Sequence, residues 1–106
     1  MKRLVLIPLV AFLAGMPVQS DVASRSADGL GTRINGSRGG RCSSGLCHID
    51  GGTHSGANRF HRLSEFDTRG AIQGVSIDSD GVRNVVLGVT ALDGSFINKS
   101  VSFSSP

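Results

Sequence analysis

The chain has 106 residues, with 11 lysines and arginines against 8 acidic residues for a formal charge of +3, and it contains neither tryptophan nor tyrosine. That length holds one small domain. Beyond Lys2 and Arg3, the nine other basic residues are scattered from Arg25 to Lys99 without a cluster or interleaved aromatics, which excludes a nucleic-acid reading, and with five phenylalanines and 15 glycines any core must be largely aliphatic.

In chain order, Lys2 and Arg3 precede an apolar run over Leu4–Leu13, and Gly15–Ser20 ends in small and polar residues. This is the layout of a secretory signal. An apolar core of about ten residues falls short of the roughly 20 that a membrane-crossing helix needs, so residues 1–20 are expected to be a cleaved leader rather than an anchor. Loss of Lys2 and Arg3 lowers the formal charge from +3 to +1. Electrostatics then names no partner.

Residues 21–40 are rich in Ser, Gly, Asp and Arg and show little periodicity beyond Val22, Leu30 and Ile34. They read as a loop-rich lead-in. Cys42 and Cys47 bracket Ser43-Ser44-Gly45-Leu46. In a secreted chain an even cysteine count favours a disulfide over free thiols or a metal pair, and a loop this tight contributes about 2 kcal/mol in the loop-entropy model.

From Gly70 onward the pattern turns to short alternating runs: Ala71, Val75 and Ile77; then Val85, Leu87 and Val89; then Ile97, Val101 and Phe103. Side chains two apart share a sheet face, so each run can bury one apolar stripe. Asp80-Gly81 and Asp93-Gly94 separate the runs and suit tight turns. Helix signals are weak throughout, and the chain is expected to be all-β.

Catalytic arrangements are hard to build. His61 and Glu65 lie four residues apart with His54 nearby, but no further ligands stand at metal-site spacing, and His61 reads better as a packed or hydrogen-bonded structural histidine. Gly51–Gly56 lacks the Gly-Lys-Ser/Thr ending of a phosphate loop. Ser55 and Ser64 have no nucleophile-elbow context. No enzyme activity, metal or cofactor is expected.

The most informative stretch is Gly51–Phe66, GGTHSGANRFHRLSEF. Gly51-Gly52-Thr53, Gly56, Asn58, Phe60-His61 and Phe66, followed by Arg83-Asn84-Val85-Val86 and Gly88-Val89-Thr90, resemble the signature of the haemagglutination-activity, or two-partner secretion, domain of filamentous-haemagglutinin-type bacterial exoproteins. Arg59 stands where that family usually has leucine, and Leu63 where it often has phenylalanine. The resemblance implies a right-handed parallel β-helix, a single-stranded β-solenoid, of which residues 41–106 would be an incomplete N-terminal portion, with Phe60, Leu63 and Phe66 as buried anchors. It also implies a role in export. A cognate outer-membrane β-barrel transporter with periplasmic domains would capture the extended chain and thread it to the cell surface or medium, and a passenger beyond Pro106 would meet host-cell or bacterial surface receptors. Asn58, Phe60, His61 and Phe66, with Asn84, are the residues expected to be recognised. The competing expectation is a small stand-alone secreted β-rich binding or adhesive protein.

Overall fold

The computed structural model describes residues 20–104, so the expected leader lies outside them except for Ser20. The chain runs through β1 (Val22–Ala23), a 3-10 turn at Ser26–Asp28, β2 (Thr32–Ile34), β3 (Ser37–Arg38), β4 (Arg41–Cys42), β5 (Gly45–Gly51) and β6 (Thr53–Ser55). It continues through β7 (Asn58–Leu63), β8 (Glu65–Phe66), β9 (Ile72–Asp78), β10 (Asn84–Val89) and β11 (Val101–Ser104). The all-β expectation holds among the described residues.

These strands form three small sheets, ordered β11-β9-β5-β2-β3, β10-β7-β6 and β4-β1-β8. The right-handed parallel β-helix implied by the resemblance is therefore not the architecture found. A β-helix needs long parallel stacking, whereas among the described residues parallel pairing joins only β5 with β9, β9 with β11, and β7 with β10, with one isolated parallel bridge between Asp67 and Phe96. The remaining ladders are antiparallel, and no sheet closes or extends into a solenoid. Two-residue connections explain part of the difference. Asn35-Gly36 joins β2 to β3 with both residues at positive φ (51° and 85°), the geometry that turns a chain straight back on itself. Gly56-Ala57 joins β6 to β7 in the same antiparallel sense.

The expected lead-in is more structured than its composition suggests. Residues 21–40 supply β1, β2 and β3, and Val22 and Ile34 are buried. Runs of two or three residues are too short to display alternation, so their strand character is conferred by partners distant in sequence. β1 is held between β4 and β8, while β2 is held between β3 and β5.

Val22, Ile34, Cys42, Cys47, Ile49, Leu63, Phe66, Ile72, Val75 and Ile77 make one buried cluster, against which Val85, Leu87 and Val89 pack part-buried. Register explains who is inside. Cys47 pairs with Val75 and Ile49 with Ile77, and β11 continues both columns with Val101 and Phe103. The expected stripes fail at two points. In the third run Ile97 lies outside β11, and Ile97, Val101 and Phe103 are all exposed. In β9, Ile72 is buried while Ala71 is exposed. Gly45 pairs with Ile72 but Leu46 with Gly74, so Gln73 is an extra residue in β9 that shifts the parity of everything before it.

Two positions on β5, three residues apart, test this core. Ile49 is fully buried and Leu46 is 75% exposed. Ile49→Ala is expected to cost about 2–5 kcal/mol in denaturant unfolding, whereas Leu46→Ala should stay within about 0.5 kcal/mol.

Candidate functional site

The signature segment Gly51–Phe66 begins at the end of β5 and supplies β6, β7 and β8. It does not form one surface. His61 and Leu63 point into the core from β7 and Phe66 joins them from β8, while Phe60 is half-buried and Asn58 sits near the surface at the start of β7. Two of the three expected anchors, Leu63 and Phe66, are thus core residues, and Phe60 is only partly so.

His61 is the chemical centre of this segment. Its side chain is 1% exposed, with Nδ1 at 3.2 Å from the Thr32 hydroxyl, and that same hydroxyl oxygen accepts the Arg62 backbone N–H at 3.1 Å. Thr32 lies on β2 and His61 on β7, so one hydroxyl ties the five-stranded sheet to the β10-β7-β6 sheet. Nε2 of His61 is buried without a hydrogen-bond partner. Gly52 makes room for the ring, because a β-carbon there would stand 2.7 Å from His61 Cε1 and from the Phe60 carbonyl oxygen, at a φ of 80°. The sequence signalled a structural histidine but could not show that Thr32, 29 residues away, is its partner.

Burial holds the His61 pKa below the ordinary histidine value, and the nearby Arg59 pushes in the same direction, against weaker opposing fields from Asp50 and Asp78. Arg59 is fixed by donating to the backbone carbonyls of Gly51 (3.1 Å) and Asp80 (3.2 Å).

Asn58 and Asn84, named separately from the sequence, lie side by side. They are register partners at the starts of the parallel strands β7 and β10, and Asn84 Nδ2 donates to Asn58 Oδ1 at 2.9 Å. Identical amides stacked on parallel strands can each donate along the stacking direction, so this pair reinforces the register of the ladder. The five expected recognition residues therefore divide: Asn58 and Asn84 at the surface, Phe60 between, His61 and Phe66 inside.

Cys42 and Cys47 form the expected disulfide, with Cα atoms 5.8 Å apart. The bond joins β4 to β5, and both cysteines belong to the core. It thereby staples the β4-β1-β8 sheet to the five-stranded one.

A second polar cluster lies at the β8 end. Asp67 accepts from the Arg69 guanidinium at Oδ2 (2.6 Å) and from the Arg69 backbone N–H at Oδ1 (3.0 Å), and the guanidinium lies 3.9 Å over the Phe96 ring centroid. These bonds from Arg69 hold the Asp67 carboxyl below the ordinary carboxylate range. An open cleft of about 680 Å³ is lined by Arg25, Arg41, Glu65 and Leu92 among others, but Arg41 is already engaged with Asp21. Among the described residues, no group of three or more His, Cys, Asp and Glu side chains is placed to hold a metal ion. Comparison with family models, with curated proteins and with solved structures finds no match to this chain.

Two measurements probe the site. Since the His61 pKa is lower folded than unfolded, the unfolded chain binds the extra proton first. The contribution of His61 is complete above about pH 6.5 and falls as pH drops from there toward the folded-state value. Denaturant melts between pH 7.5 and 5 should show this decline, and His61→Gln should flatten it. Cys42→Ser/Cys47→Ser should lower stability by about 2 kcal/mol from loop closure alone, measured against the wild type under oxidising conditions.

Proposed function

We propose that this chain is a secretion-recognition segment of an exported bacterial exoprotein, captured in extended form by an outer-membrane β-barrel transporter with periplasmic domains. The observation that carries the reading is the division of the signature residues. His61 is 1% and Phe66 3% exposed, while Asn58 and Asn84 stand at or near the surface. No partner can contact these side chains as a set once the chain has folded. An extended chain offers all of them.

The physical mode is strand addition. An unfolded β-prone segment supplies its backbone N–H and C=O groups to a sheet edge, and alternate side chains enter pockets on one face. Asn58, Phe60 and Phe66 are separated by even numbers of residues, so they lie on one side of such a strand, with His61 on the other. Folding then removes His61 and Phe66 from the reader, which disfavours return through the pore. The tight loop closed by Cys42–Cys47 spans a sequence separation of five, small enough to travel with the extended chain. The leader-like residues 1–20 supply entry to the periplasm, and the secreted or surface location follows from the same route.

A second reading is a small stand-alone secreted β-rich binding or adhesive protein. The exposure of Leu46, Leu92, Ile97 and Phe103 favours it, because apolar side chains at a surface mark contact sites when they are contiguous.

The full chain expressed in a Gram-negative host with and without a two-partner transporter separates the two. Transporter-dependent appearance in the medium is the expected result. Asn58→Ala/Asn84→Ala should lower that appearance about tenfold while costing only about 1 kcal/mol of stability, the scale of one exposed hydrogen bond. Equal release in both hosts supports the stand-alone reading, and retention in the periplasm of both sinks the export reading.

A further inference from the structure

The edges of the three sheets are not protected alike. The outer strands β3 and β4 are two residues long and carry Arg38 and Arg41, and β6 is three residues long and fully exposed with His54 at its centre. Short, charged or polar edges of this kind resist pairing with another chain. β10 is different. It is the outer strand of its sheet, six residues long, and its sequence Asn84-Val85-Val86-Leu87-Gly88-Val89 contains no charge and no proline. The nearest lysine in sequence, Lys99, is turned inward, donating to the carbonyls of Thr68 (3.1 Å), Gly70 (3.3 Å) and Ile72 (2.6 Å). It cannot guard the edge.

The side-chain pattern of β10 selects its occupant. Val85, Leu87 and Val89 pack part-buried against the core from one face, and Val86 is 44% exposed on the other. The inward stripe Val-Leu-Val reads identically in both directions about Leu87. An antiparallel second β10 centred on Leu87 therefore places Leu87 opposite Leu87, and Val85 opposite Val89, with like faces aligned. A strand without charge neither repels its own copy nor attracts a charged partner.

We propose that β10 is a homotypic docking edge, on which a second copy of this chain adds its own β10 antiparallel about a two-fold axis at Leu87. The pairing extends the β10-β7-β6 sheet into one sheet of twice the strand number, with β6 at each outer rim. It is an isologous contact: each copy supplies the same patch and the same unpaired backbone groups. The inward stripe becomes continuous across the junction.

Sedimentation velocity of the purified chain across a dilution series tests this. The expected result is a concentration-dependent species of double the single-chain mass. Val86→Lys places like charges near the axis and should raise the dimer dissociation constant by at least about tenfold, with its circular dichroism and unfolding midpoint close to wild type. The register is read separately by oxidative cross-linking. On the axis the facing Cα atoms are about 4.5–5.5 Å apart, within disulfide range, so Leu87→Cys should give a covalent dimer and Phe103→Cys little. A chain that stays monomeric throughout the series overturns the proposal. So does association that Val86→Lys leaves unchanged, or cross-linking stronger at Phe103→Cys than at Leu87→Cys.

Discussion

The fold depends on one hydroxyl. Thr32 Oγ1 receives the Arg62 amide and pairs with the His61 ring, and through it β2 of one sheet is fastened to β7 of another. The bond is made where water is excluded, so its loss would leave polar atoms on both strands without partners, a cost larger than the bond's net contribution when formed. Everything around it accommodates the ring. Gly52 withholds a β-carbon, Leu63 follows two residues later on the same face of β7, and Ile34 follows Thr32 into the core from β2. A buried neutral imidazole with one nitrogen unpaired tolerates this site; a charged imidazolium, with two N–H donors and a single partner, does not.

That arrangement links packing to function. A segment whose sequence pattern suggests recognition is, in the folded protein, mostly a device for joining sheets. The disulfide performs the parallel task on the other side, joining β4 to β5 and drawing β1 and β8 with them. The three sheets thus share one aliphatic core, which suits a chain without tryptophan or tyrosine. A fold of this type is assembled late, from contacts far apart in sequence. Thr32 to His61 spans 29 positions and Thr68 to Asn98 spans 30. Contacts this far apart in sequence slow folding.

Much of the second half was legible in the sequence. The alternation of Val85, Leu87 and Val89 marks β10, Val101 and Phe103 mark β11, and Cys42 with Cys47 marks the disulfide. The parity of Ala71 failed because a single extra residue, Gln73, reverses which side chains face the core, and alternation carries no sign of a bulge. The first half was legible only in part. β1, β3 and β4 are two residues long, too short for any period, and exist because partners elsewhere complete them. The Asn35-Gly36 hairpin lies in a segment whose polar composition reads as loop. The parallel β-helix was inferred from resemblance, and resemblance over a short signature does not fix strand direction where two-residue turns send the chain back antiparallel. Of the expected recognition residues, the sequence showed neither that Asn58 and Asn84 are register partners nor that His61 and Phe66 face inward.

The central physical claim is that the β2–β7 link makes the two larger sheets one cooperative unit. Native-state hydrogen exchange tests it most directly, by comparing the amides of β5 and β9 with those of β7 in the intact protein. The account predicts that the most protected amides in both sheets open with the same free energy, equal to that of global unfolding. Protected β5 and β9 amides beside β7 amides that exchange through a separate, cheaper opening would contradict it.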